Sequence, residues 1–203
     1  MPKLYWRQLF VGLLVEFSSL GSYRLIQNVT PGKFHLGTWL DTSLPFWPSW
    51  ILIYSSILLV FLVAASVLRP ELFKITLKRV VLAHIITYPF FFLLPSDYPR
   101  LESVSIDPDT FFGWGYGIMH TLDQANNTFP SLHVSLTWII CHMLRKNGYS
   151  PWLTYTYAIL ISLSTLLTKQ HFVIDVIGGY MIFLSTITIE RFFRKRFEVV
   201  KEI

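Results

Sequence analysis

The chain of 203 residues is the length of one domain, with 53% hydrophobic, 17% aromatic and 14% charged residues and a mean hydropathy of +0.49. Soluble domains carry roughly 25% charge, so this surface cannot face water throughout, and so much aromatic mass excludes a disordered chain. The net charge of +5 is spread along the chain, which excludes a nucleic-acid interface, and the single Cys141 excludes an internal disulfide and a cysteine-based zinc site.

Six segments read as membrane-spanning helices, measured against the ~20 apolar residues that cross about 30 Å of hydrocarbon. The first, residues 5–26, is interrupted by Glu16. Its start also fits a cleaved secretory signal, because Lys3 and Arg7 precede an apolar run and small residues follow. The second, residues 47–68, is the cleanest. The third, residues 75–94, opens near Lys78 and Arg79. The fourth, residues 131–144, is short and follows Pro130. The fifth and sixth, residues 151–168 and 172–192, form a tight helical hairpin.

Lys and Arg set the expected orientation. They gather before the first span, between the second and third, between the fourth and fifth, and after the sixth. Of the 17, only Arg24, Lys33, Arg100 and Lys169 fall at the opposite ends. The expectation is an all-α polytopic membrane protein: six transmembrane helices in one bundle, both termini cytoplasmic, residues 1–203 forming a single domain. The outer segment 96–129 carries Asp97, Glu102, Asp107, Asp109 and Asp123, and its aromatic stretch around Trp114 suits an interfacial anchor.

Two polar clusters fall at the outer face. Asn127-Thr128-Phe129-Pro130-Ser131-Leu132-His133 leads into the fourth span. Asn127 or Thr128 can cap that helix, with Pro130 in its first turn. The helix start offers N–H groups to an anion such as phosphate, and Ser131 adds a hydroxyl. His133 lies in the first turn. In Lys169-Gln170-His171-Phe172-Val173-Ile174-Asp175, the i,i+4 spacing lets Asp175 hold the His171 ring. A carboxylate on one ring nitrogen makes the other more nucleophilic and stabilises positive charge on the ring. Lys169 adds a cation, and Gly178-Gly179 permit close approach of a neighbouring helix. Asp175 lies in an apolar span, where an ionisable residue is functional by default.

Pro130-Ser131-Leu132-His133 resembles the Pro-Ser-x-x-His motif of the type 2 phosphatidate phosphatase superfamily, and His171-x-x-x-Asp175 resembles the end of its last motif. The surroundings, from Lys169-Gln170-His171-Phe172 to Gly178-Gly179, are similar to the branch of inositol phosphorylceramide and sphingomyelin synthases. The resemblance covers about residues 85–190. It departs at Tyr98-Pro99-Arg100, which lacks the family's Lys seven positions before Arg100, and at Ser164-Thr165, where an Arg is missing.

The resemblance implies that His171 attacks phosphorus, Asp175 steadies the ring, and His133 protonates the leaving lipid oxygen. Arg100, Ser131 and Lys169 would bind the phosphate oxygens, with no metal and no cofactor. The implied partners are a lipid phosphate substrate and membrane lipids, met at the extracytoplasmic face. A headgroup transferase of the sphingolipid-synthase type and a non-catalytic transporter or scaffold remain alternatives. His84 and His142 read as packing and interfacial residues, and Glu16 and Arg24 on the first span as partners for each other or for another helix.

Overall fold

The computed structural model describes residues 5–100 and 105–201; Lys3 and Glu102 lie outside them. Helix α1 spans Trp6–Val29 and short helix α2 spans Trp39–Ser43. A 3-10 turn at Pro48–Trp50 leads into α3 (Ile51–Ser55) and α4 (Ile57–Val67). Then follow α5 (Pro70–Leu93), α6 (Phe111–Leu122), α7 (Leu132–Lys146), α8 (Pro151–Leu167) and α9 (Val173–Lys201). Strand β1 (Phe34–His35) pairs in parallel with β2 (Ser96–Asp97), which ties the two outer segments together.

Four stretches are long and apolar enough to cross a membrane: Trp6–Val29, Pro48–Val67, Pro70–Leu93 and Val173–Phe193. The expected fourth and fifth spans are helical but shorter. Helix α7 has 15 residues, a rise of about 22 Å at 1.5 Å per residue. Its length is set by Ser131, whose Oγ accepts from the Val134 N–H, and by Gly148, which ends the run at a φ of +103°. The chain is therefore a mostly helical membrane protein.

Helix α5 begins five residues earlier than expected, because Pro70 takes the first helical position, where its missing N–H has no partner. Lys74 is consequently on the helix rather than before it, and Lys78 and Arg79 lie about two turns in rather than at its start. Arg79 is 1% exposed and donates to Glu190 of α9 at 2.9 Å, so its charge is neutralised inside the bundle. His84 has the expected packing role, linking Ser19 of α1 to the Val80 carbonyl. His142, near the C-terminal end of α7, is buried with its Nδ1 3.3 Å from the Tyr155 hydroxyl. Glu16 and Arg24 form no ion pair, since eight residues of helix separate them by about 12 Å.

Helix α7 occupies the centre. Its Ile139, Ile140 and Met143 meet Ala64 and Ala65 of α4, Val80 and Ala83 of α5, and Phe183 of α9. Small residues at these contacts let backbones approach closely, while Leu59, Ile85, Trp152 and Ile177 point outward, as in a bundle solvated by lipid.

Candidate active site

The two sequence clusters meet where α9 crosses the start of α7. A Cβ on Gly178 would lie 2.7 Å from the Phe129 ring, and one on Gly179 would lie 2.5 Å from the Ser131 carbonyl oxygen. Only glycines allow this contact. It brings the Ser131 N–H to the Asp175 carbonyl at 3.0 Å, joining the clusters through their backbones.

His171 lies in the turn between α8 and α9, ahead of the helix rather than on it. The Thr165 carbonyl accepts the N–H groups of both Gln170 and His171, which fixes the turn. Asp175, in the first turn of α9, accepts the Phe172 N–H at 2.9 Å and His171 Nδ1 at 3.3 Å through the same oxygen, Oδ2. The pair thus forms across a helix start. Asp175 is fully buried, and its Oδ1 has no hydrogen-bond partner.

Around His171 the roles of the ring nitrogens follow from their neighbours. A carboxylate can only accept, so Nδ1 carries the proton and donates to Asp175. Nε2 is then the lone-pair nitrogen, 3.2 Å from the Ser131 hydroxyl, which donates to it. Ser131, rather than Asn127 or Thr128, is the N-cap of α7, and Pro130 stands outside the helix. Thr128 bonds to Ser96 instead, and Asn127 adopts a φ of +57° with its amide on Thr30. The His133 ring is 5.8 Å from the His171 ring, centroid to centroid. It stacks on Tyr54 at 4.6 Å, with the Tyr54 hydroxyl 3.5 Å from its Nδ1.

The two expected cations are engaged elsewhere. Arg100 donates to the carboxylate and carbonyl of Asp123 and to the Gln124 carbonyl. Lys169 is 3% exposed, and its ammonium donates to the carbonyls of Asp41 and Leu44 at 2.7 and 2.8 Å. Arg100, Asn127 and Lys169 are the non-glycine residues with left-handed backbones among those described. Such strain concentrates at functional sites, and here it flanks both histidines. On α6, burial and then the Arg100 charge push the His120 imidazole below its ordinary range, while Asp123 opposes the shift.

Sequence reasoning missed Asp41 and Tyr54. Asp41 is buried, and its Oδ2 accepts the N–H and hydroxyl of Thr38 at 2.8 Å. Its Oδ1 accepts the N–H of Val173, the first residue of α9, at 2.7 Å. One carboxylate therefore caps two helices, α2 and the helix that carries Asp175. The Thr38-x-x-Asp41 spacing is a capping-box pattern and was readable; its reach to Val173 was not. Nothing in the sequence marks Tyr54, which reaches His133 only through the bend between α3 and α4.

A cavity of about 820 Å³, open side included, runs from Asn127, His133 and His171 into the apolar bundle. Among the described residues no three of His, Cys, Asp and Glu converge as metal ligands would. A family model described as the PAP2 superfamily matches residues 34–189. Neither a curated protein nor a solved structure matches the chain.

Proposed function

Because the chain belongs to the PAP2 superfamily, whose membership supports a phosphatase-type function, we propose that it is a membrane lipid phosphatase working through a phosphohistidine. The observation that carries this reading is His171, held through Nδ1 by Asp175 with Nε2 presented beside Ser131 and His133. In the first step Nε2 forms a bond to phosphorus as the bond to the lipid oxygen breaks. His133 gives that oxygen its proton, and Asp175 offsets the positive charge on the His171 ring. In the second step water attacks the phosphorus, the N–P bond breaks, and His133 takes the proton.

Phosphoryl transfer depends mainly on positioning and electrostatics. Ser131 leaves His171 to donate to a phosphate oxygen, and the start of α7 adds its dipole. Lys169, tied to carbonyls, contributes through its field, while the charge of Arg100 is offset by its ion pair with Asp123. The bundle is read as six spans with both termini cytoplasmic, which sets this site at the extracytoplasmic face. Incubation of purified protein with a panel of lipid phosphates in a chelator tests the reading. Phosphate release by the wild type and none by His171→Ala is expected. Absence of release from every member of the panel removes hydrolysis.

The second reading is headgroup transfer, favoured by the commitment of both Arg100 and Lys169 to protein acceptors. A phosphodiester carries one negative charge where a monoester carries up to two, so it asks for fewer cations. Product formation that requires an added lipid alcohol would identify this activity.

A further inference from the structure

The cavity beneath the histidines has a shape that bears on how a lipid reaches them. Helix α1 is attached to the bundle at separate places along its length. Near its inner end it crosses α4 closely enough that a Cβ on Gly12 would lie 2.8 Å from that of Ala65, and the Tyr5 N–H donates to the Ser66 carbonyl. Along its outer half it bonds instead to α5, through Ser19 to His84 and Ser22 to Tyr88. At the top Gln27 donates to Asp123. Above the Gly12–Ala65 crossing, the cavity fills the space between α1 and α4.

The lips of this slot are Leu20 of α1 and Leu58 of α4, which line the cavity and are also 41% and 50% exposed on the outer surface. That exposed surface lies in the apolar belt of two candidate spans. Inside, Leu132, Leu136 and Ile140 of α7 form the back wall, and His133 and His171 close the top. From His133 to Ile140 the helix rises about 10 Å. Glu16 is the carboxylate on the wall, one turn above Gly12 on the same face of α1, so the apolar path ends there.

Building on the phosphatase reading, we propose that the slot between α1 and α4 is a lateral portal and channel for the hydrocarbon chain of a lipid phosphate ester. The chain enters between Leu20 and Leu58, the phosphate meets His171, and the channel floor at Glu16 and the Gly12–Ala65 crossing limits chain length. Burying methylenes against the wall stabilises the bound lipid, each by a similar increment. Methylenes that reach Glu16 would instead desolvate a carboxylate, which is unfavourable.

Two measurements on the full chain in lipid nanodiscs test the channel. A long-chain alkyl phosphate bearing a photoreactive group on its chain is expected to label residues 15–23 and 57–61, and excess unlabelled long-chain alkyl phosphate should compete. Labelling confined to other helices, or labelling without competition, overturns the proposal whether or not the protein is catalytic. The second measurement compares kcat/KM for long-chain and short-chain alkyl phosphates. Leu20→Trp and Leu58→Trp should lower the long-to-short ratio at least tenfold, and Glu16→Leu should raise it severalfold. Unchanged ratios in all three variants also overturn the channel. A wild type that hydrolyses neither substrate defeats the phosphatase reading, and the labelling then decides the channel alone.

Discussion

The Ser131 N–H and the Asp175 carbonyl are hydrogen-bonded at 3.0 Å, so two motifs more than forty residues apart share one backbone contact. Gly179 makes that contact possible, because a Cβ there would press on the Ser131 carbonyl oxygen at 2.5 Å and on Val134 Cβ at 2.9 Å. Both neighbours are backbone or branched carbon and cannot swing away. Gly179→Ala is therefore expected to destabilise the fold by about 1–3 kcal/mol, the range for overpacking a filled core. It should also lower activity at least tenfold by shifting His171 away from Ser131. Gly117→Ala, with open space around its Cβ, is the control. Thermal unfolding in detergent and phosphate release read the two effects, and equal behaviour of the two variants would remove the close-contact explanation.

The division of labour between the histidines makes a separate prediction. If His133 protonates the leaving oxygen, its loss should matter most for poor leaving groups. His133→Ala is expected to reduce hydrolysis of an alkyl phosphate by 10²–10⁴-fold, the usual range for a general acid, and that of nitrophenyl phosphate far less. His171→Ala should abolish both. Asp175→Asn keeps the shape but cannot offset charge on the His171 ring, and a fall of about 10⁴ is the precedent for such a change. A similar loss for both substrates in His133→Ala would show that His133 only binds phosphate.

Arg79, fully buried, and Glu190, partly buried, form an ion pair between α5 and α9, outside the two polar clusters that hold His133 and His171. Removing Glu190 takes the carboxylate away from the buried Arg79 guanidinium, so Glu190→Ala should destabilise by about 3–5 kcal/mol. Replacing both residues with leucines should recover most of that loss, since an apolar pair of similar volume is often neutral or better. A double variant as unstable as the single would show that the pair is more than a packing element. Unfolding midpoints of the wild type and the two variants give the answer.

The sequence was informative where short-range geometry governs. The His171/Asp175 pairing is suggested by a spacing of four residues, although His171 stands in the turn ahead of α9 rather than on a helix, and the need for Gly178-Gly179 follows from size alone. The membrane class follows from composition. What could not be read was the engagement of long side chains by distant carbonyls. Lys169 looked like a free cation two residues from His171, yet 125 residues of chain return Leu44 to its ammonium. Arg79 reads as a charge at the cytoplasmic end of its span, yet it pairs with Glu190 of α9 inside the bundle. The N-cap assignment failed for a related reason: Asn127 and Thr128 both have tertiary partners, Thr30 and Ser96, which local pattern cannot reveal.

Asp41 supplies the last prediction, because its carboxylate holds the first N–H of α9 while its carbonyl holds Lys169, bracketing His171 from both sides. It touches neither histidine, so it acts as a positioning residue. Asp41→Ala removes the cap from Val173 and from α2, at a cost of about 0.5–2 kcal/mol for a lost N-cap. Its effect on catalysis should appear in kcat, with KM nearly unchanged, because the substrate's contacts survive while the His171 turn loosens. Asp41→Asn retains an oxygen acceptor for Val173 and should restore much of kcat. Lys169→Met leaves the buried Asp41 carbonyl and the Leu44 carbonyl without their donor and should lower the unfolding midpoint. If Lys169→Met left stability untouched and raised KM for phosphate esters instead, the ammonium would be a direct phosphate ligand rather than a brace.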